Sequence, residues 1–227
     1  MAGQQRWVPL ESNPDVLNKY ISKLGVNTSQ WEFVDVYGLD PELLQMVPNY
    51  KDVVAVMLLF PITEKSKATP IGSEETDAKV YFVKQTIGNA CGTVAIVHAL
   101  ANNEKPLQII EDSSFAKFLA ATKDLTPQKR ADYLETDTNM GAAHDETAQE
   151  GQTTAPSAEE KVNTHFVAFI HSDGKLYEMN GSCDAPICHG ATSSDSLLQD
   201  AVNVTKKFME RDPTELNFTL MALTKKG

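Results

Sequence analysis

Apolar positions along the chain recur in two rhythms, one helical and one alternating, and Pro, Gly and Asn punctuate them. Trp7–Leu10 reads as extended. Asn13-Pro14 then supplies an N-cap and a first-turn proline for a helix to Leu24, with Gly25 as its stop. Phe33–Tyr37 alternates as a short strand. Asp40-Pro41 repeats the cap-then-proline signal for a short helix through Met46, closed by Pro48. Val53–Phe60 is continuously apolar, which predicts a central strand covered on both faces. Lys65–Asp77 is polar and reads as an exposed loop. Val80–Val83 predicts a strand, Thr86–Asn89 a bridge, and Ala90 to about Ala101 an apolar helix capped by Asn89.

Helical spacing returns over Ser113–Lys123, again from Thr126-Pro127 through Leu134, and as a short helix within Asp137–Gln149. Glu150–Lys161 has no apolar residue larger than alanine or proline and reads as a flexible loop. His165–Met179 predicts a hairpin turning at Asp173-Gly174. Ser194–Arg211 is an amphipathic helix with Leu197, Leu198, Ala201, Val204 and Phe208 inward, and Asn217–Thr224 a last strand. Helices and strands interleave without a repeat or a linker. The expectation is one α/β (α+β) domain over residues 1–227.

Composition narrows the classes. The chain has 227 residues, 41% hydrophobic and 22% charged, ordinary for a globular protein. No run reaches the roughly 20 apolar residues of a membrane span, and the first residues lack the apolar core of a signal peptide. Three irregularly spaced cysteines argue for a reducing, cytoplasmic compartment over a disulfide framework. A net charge of −11 argues against nucleic acid and suits a partner with a basic face.

The chemistry gathers around Cys91. In the first turn of the predicted helix, unpaired N–H groups and the helix dipole favour a thiolate. Gln85, six residues upstream, offers a neutral amide donor on the incoming loop. Papain-like hydrolases use this layout, with the amide and the cysteine's own N–H binding the oxyanion. A lone cysteine is more often a buried structural residue, and the partners found elsewhere in the chain tip the balance. In the hairpin, a two- or four-residue turn sets His171 opposite Leu176. His165 and Asn180 then share one sheet face as diagonal neighbours about 7–8 Å apart; a three-residue turn would separate them. Other constellations are weaker. Cys183, Cys188 and His189 lack metal-ligand spacing, so no metal or other cofactor is expected. His98 reads as a core histidine and His144 as exposed.

The segments RWVPLESNPDVL, DVYGLDPELL, QTIGNACGT, EGQTTAPS and THFVAFIH…GKLYE, in the right order and spanning essentially the whole chain, strongly resemble the ubiquitin carboxyl-terminal hydrolases, in particular their short single-domain members. The resemblance implies a papain-like cysteine hydrolase fold, a central antiparallel sheet wrapped by helices with a knotted chain path. It implies a monomeric deubiquitinating thiol hydrolase that removes small adducts or short peptides from the C-terminal glycine of ubiquitin or a ubiquitin-like protein. Carried onto matching positions, Cys91 is the nucleophile, His165 the general base and acid, and Gln85 the oxyanion donor. Glu150–Lys161 matches the family's crossover loop, which limits leaving-group size.

By the same resemblance ubiquitin contacts three segments. They are Pro9, Leu10, Glu11, Ser12, Asn13 and Pro14; then Ala148, Gln149, Glu150, Gly151, Gln152, Thr153, Thr154 and Ala155; then Glu215, Leu216, Asn217, Phe218, Thr219 and Leu220. Two departures stand out. The Lys65–Asp77 region looks shorter than in close relatives, and the family's LYELDG reads LYEMNG here, so Asn180 holds the triad-acid position. Asparagine can accept the imidazole N–H but cannot stabilise the imidazolium by charge. That opens an alternative, a catalytically weak ubiquitin-binding module, and makes Asp184 a second candidate acid.

Overall fold

The computed structural model describes residues 5–227. Residues 1–4, part of the stretch read as carrying no signal peptide, lie outside the described residues. The first half of the chain contains α1 (Pro14–Leu24), β1 (Trp31–Asp35), α2 (Pro41–Leu44), β2 (Ala55–Pro61), α3 (Glu64–Ala68), β3 (Ser73–Glu74) and α4 (Cys91–Ala101). There follow α5 (Glu104–Leu107), α6 (Ser114–Thr122), α7 (Pro127–Thr136) and α8 (Thr138–Ala148). The chain closes with β4 (Thr164–Ser172), β5 (Lys175–Met179), β6 (Ile187–Ala191), α9 (Leu197–Arg211) and β7 (Thr219–Lys225).

The strands make one antiparallel sheet in the order β1-β7-β2-β4-β5-β6-β3. The continuous apolar run in β2 is explained by its place between β7 and β4. Ala55 and Met57 enter one core, with α1, α4 and α6, while Val56, Leu58 and Phe60 enter the other, with α9. β4 divides the same way, Phe166, Ala168 and Ile170 against Val167 and Phe169. Burying each large aliphatic side chain contributes roughly 1.5–3 kcal/mol, so both cores hold the central strands. The inward stripe of α9 is the one its periodicity predicts, and every residue of α4 from Cys91 to Leu100 is buried. A helix apolar all round belongs in an interior, and α4 lies there, packed on β4.

Caps account for most helix starts. The Asn13 side chain accepts from Asp15 N before Pro14, and Gly25 ends α1 with φ 102°. Ser113, Thr126 and Asp137 cap α6, α7 and α8.

Three local expectations need correcting. Lys65–Asp77 is no simple loop: it contains most of α3 and all of β3. Thr63 and Ser66 form a reciprocal capping box for α3, with serine where glutamate is usual, and β3 pairs with β6. Val80–Val83 pairs with no strand among the described residues: Val80 is a bend and the next three residues are irregular. Its backbone bonds to side chains of α4 and its C-cap instead: Tyr81 N donates to Asn102 Oδ1 at 2.8 Å and Val83 N to His98 Nε2 at 2.9 Å. His98 is thus the core histidine expected, and burial pushes it down to about 3. His144, expected to be exposed, is fully buried between Thr93 Oγ1 and the Val8 carbonyl, each at 2.7 Å. Burial pushes it down to about 4, and two polar partners let neutral imidazole sit in the core.

Candidate active site

Two helix and strand ends meet where the candidate residues lie. Cys91 is the first residue of α4 and 8% exposed. The cap is not Asn89, which has φ 62°, but Ala90, whose side chain cannot bond the first turn. Asn89 faces the other way. Its Nδ2 donates to the carbonyls of Ala158 at 3.0 Å and Glu160 at 3.3 Å, and its Oδ1 accepts from Arg6 Nη2 at 3.3 Å. The residue that looks like a cap therefore ties the start of α4 to the 150–161 loop.

His165, 7% exposed, stands at the start of β4 opposite Phe60 on β2, with the two rings edge to face at 5.9 Å. The hairpin turns through two residues and pairs His171 with Leu176, the register that places His165 and Asn180 on one face. His165 Nε2 lies 2.9 Å from Asn180 Oδ1. With that nitrogen engaged, Nδ1 is left for Cys91, and the two side chains are hydrogen-bonded.

The electrostatics of this contact set the protonation states. Burial pushes the Cys91 thiol up, but the hydrogen bond and charge of His165, with the Phe166 and Gly92 N–H groups, bring it below its ordinary value. Burial pushes His165 down, and contact with Cys91, then Asn180 and the charge of Glu178, carry it above its ordinary value. Opposite shifts of this kind stabilise a thiolate–imidazolium pair.

Gln85 is held beside this pair through the residue after Asn180. Its backbone N donates to Gly181 O at 2.8 Å. A Cβ at Gly181 would come within 2.7 Å of Val94 Cγ1 and 3.1 Å of Gln85 Cβ, so only glycine permits this approach. Gln85 Nε2 donates to Ile87 O at 3.2 Å, while its Oε1 is buried without a hydrogen-bond partner among the described residues.

The other expected residues fall in distinct places. Leu10 is buried, and a Cβ at Gly92 would come 3.2 Å from Leu10 Cδ1, so Pro9–Pro14 passes close by the first turn of α4. Glu11 meets the second expected segment, accepting from Gln152 N at 3.2 Å and from Thr153 N at 2.9 Å. The bond from the Thr153 hydroxyl, opposed by burial and joined by those from the loop backbone and Asn13, holds the Glu11 carboxyl down at about 2. Glu150 pairs with Lys19 at 3.1 Å and Lys23 at 3.0 Å. The third segment leads into β7, with Leu216 at 84% exposure. Asp184 is not a substitute acid: it is 84% exposed and pairs with Lys84.

Sequence reasoning missed Glu178 and Ser182, and weighed His189 only as a weak metal ligand. Asn180 Nδ2 donates to Glu178 Oε1 at 3.2 Å, and Ser182 N donates to Asn180 Oδ1 at 3.1 Å. Glu178 Oε2 lies 2.9 Å from His189 Nε2, both side chains 2–3% exposed. The signal available was a charged residue at an inward strand position, two before Asn180 and so on its face. Beside this network opens a cleft of about 400 Å³, lined by Phe60, Ile62, His165, Asn180, Cys183 and Arg211 among others.

Comparisons with known proteins identify the family and the fold. Residues 7–210 match the family model for ubiquitin carboxyl-terminal hydrolase, family 1. The chain is 55% identical over 215 residues to a ubiquitin carboxyl-terminal hydrolase of Aplysia californica, covering 94% of this chain and 99% of that protein. It is 45% identical over 223 residues to ubiquitin carboxyl-terminal hydrolase isozyme L1 of Rattus norvegicus, covering 96% and 97%. Among solved structures, the Trichinella spiralis UCH37 catalytic domain bound to ubiquitin vinyl methyl ester superposes with a TM-score of 0.78. That match is 23% identical and covers 98% of this chain and 97% of the other, a likeness of fold.

Proposed function

The chain belongs to ubiquitin carboxyl-terminal hydrolase family 1, and from that premise we propose that its Cys91–His165–Asn180 contact is a catalytic triad acting at the C-terminal glycine of ubiquitin. The protein is a cysteine-type deubiquitinase. The Cys91 thiolate attacks the carbonyl carbon of that glycine, forming a C–S bond and a tetrahedral oxyanion. Collapse expels the amine, which takes its proton from the His165 imidazolium, and leaves a thioester on Cys91. His165 then removes a proton from water, the hydroxide attacks the thioester, and the departing thiolate restores the ion pair. Asn180 accepts the His165 Nε2–H throughout and holds the ring.

The oxyanion falls to the Cys91 N–H and the Gln85 amide, which must leave the Ile87 carbonyl to reach it. Residues 150–161, anchored at Glu11 and Lys23 on one side and at Arg6 and Asn89 on the other, limit leaving groups to small adducts or short unstructured peptides. Ubiquitin is the partner, held by the three segments 9–14, 148–155 and 215–220, and the enzyme acts as a cytoplasmic monomer. Its three free cysteines suit a reducing compartment.

The observation that carries this reading is the buried Cys91–His165 pair oriented by Asn180. A ubiquitin vinyl methyl ester should label the protein once and release of a fluorophore from a ubiquitin C-terminal amide should be measurable, both abolished by Cys91→Ala. Labelling that survives the substitution would overturn the assignment.

A further inference from the structure

Asparagine in the acid position poses a problem of orientation as well as of charge. An amide presents an acceptor on one side and a donor on the other. Turned the wrong way, its NH₂ would face His165 Nε2 and demand a lone pair there. The proton would then sit on Nδ1, and the ring could no longer take one from Cys91. Something must hold the amide with its oxygen toward the ring.

We propose that Glu178 is the positioning residue of this site: its buried carboxylate fixes the Asn180 amide with Oδ1 toward His165 and supplies the negative charge the triad lacks. This rests on the catalytic reading of Cys91 and His165 given above. Three contacts agree on one amide orientation. Oδ1 faces His165 Nε2 at 2.9 Å and accepts from Ser182 N at 3.1 Å, while Nδ2 donates to Glu178 Oε1 at 3.2 Å. An ionised carboxylate has acceptors and no donor, so Glu178 in that form admits the donor side of the amide and rejects the other. Its second oxygen is held by His189 Nε2 at 2.9 Å, which stops the carboxylate from turning away.

At 2% exposure, little water intervenes to screen the charge. His165 registers it: Glu178 is among the influences that lift the imidazole above its ordinary value. The groups around Glu178 come from four directions. His165 and Asn180 lie ahead of it, His189 reaches in from β6, Cys183 from the turn after β5, and Arg211 from the end of α9. The His189 ring holds the carboxylate by its hydrogen bond, Arg211 contributes only its charge, and among the described residues the Asn180 amide bridges the carboxylate to the His165 ring. The arrangement is a four-member row, His189–Glu178–Asn180–His165, in which the acid stands one residue further out than in a Cys-His-Asp triad.

Glu178→Gln separates charge from orientation, since the glutamine oxygen can still accept from Asn180 Nδ2. The His165 ring titration, followed by NMR, should move down by about half to one pH unit. In release of fluorophore from a ubiquitin C-terminal amide, the alkaline limb of the rate profile should move with it. Glu178→Ala removes both roles and should lower kcat by roughly tenfold or more, with KM held and a smaller loss in Glu178→Gln. A midpoint in Glu178→Gln that stays put overturns the proposal, as does a kcat in Glu178→Gln as low as in Glu178→Ala. If Glu178→Gln does not fold, His189→Gln reads the same charge from the other side. It keeps the carboxylate and replaces only the ring on its far oxygen, so the midpoint should hold or rise, and a fall would overturn the proposal. A shifted midpoint in a protein without turnover would keep Glu178 in its role and remove the catalytic reading instead.

Discussion

Replacing Asn180 with aspartate restores the acid that the family pattern carries, and the expected gain is small. In the serine-protease triad the reverse change lowers kcat about 10⁴-fold because the amide holds the wrong tautomer. Here that part of the loss is absent, since Asn180 already points Oδ1 at His165 Nε2. What aspartate adds is charge on the accepting oxygen. A hydrogen bond to a charged group exceeds a neutral one by about 1–1.5 kcal/mol, close to a factor of ten in rate if fully expressed in the transition state. Against it stands Glu178. The Nδ2 that donates to Glu178 Oε1 at 3.2 Å becomes a carboxylate oxygen, and two like charges near 4 Å repel by about 4 kcal/mol at an effective dielectric of 20. Rotation toward His189 relieves part of this, and protonation of one carboxyl the rest. Fluorophore release from a ubiquitin C-terminal amide, measured from about pH 5 to 9, should show kcat within about tenfold of the parent and an added ionisation from the coupled carboxylates. A gain of 10³ or more would mean that Asn180 holds the wrong tautomer and that Glu178 does not orient it.

Two further outcomes follow from contacts around the site. Gln85→Ala should lower kcat by about 10²–10³ while leaving ubiquitin affinity close to the parent's; lost affinity with retained turnover of bound substrate would make Gln85 a binding residue. Glu11→Gln should loosen the 150–161 loop, raising proteolytic nicking there and speeding cleavage of bulky conjugates relative to small adducts; equal rates on both substrates would show that the loop is not the filter. The same tether has a pH signature. The Glu11 carboxyl is held below its ordinary value, so its contribution is complete above pH 4.5 and disappears as pH falls toward about 2, and hydrogen exchange at Gln152 and Thr153 should rise across that window.

Elements whose signals are local were legible. α1, α6 and α7 each begin at a side-chain cap that the sequence displays, and α9 follows from its apolar stripe. The elements misread are those whose hydrogen bonds close far along the chain. Val80–Val83 has the composition of a strand, but its partners are His98 on a helix and Asn102 at that helix's C-cap, 15 and 21 residues away. β3 is two residues long and owes its existence to β6, more than a hundred residues later. Asn89 has the residue type and position of a cap, yet its partners Ala158 and Glu160 lie 69 and 71 residues on. His144 looks like a surface residue until Val8 and Thr93 close over it. Local pattern carries no information about which distant group will offer the better bond.

The site itself divides along the same line, with one instructive exception. His165 and Asn180 could be paired from sequence because a two-residue turn fixes the register, and period two then decides which side chains share a face. The same rule places Glu178 beside Asn180, and β4's Phe169 opposite Glu178 marks that face as the interior one under α9. A carboxylate directed into an apolar core must find partners or lose its charge. That requirement alone was enough to ask what Glu178 bonds, before His189 or Arg211 was known to be near. Asking it changes the meaning of Asn180: by itself the residue is a triad without its acid, whereas next to a buried carboxylate it is the neutral spacer through which the acid acts. Charge and orientation, joined in a single aspartate elsewhere, are carried here by two residues on one strand end.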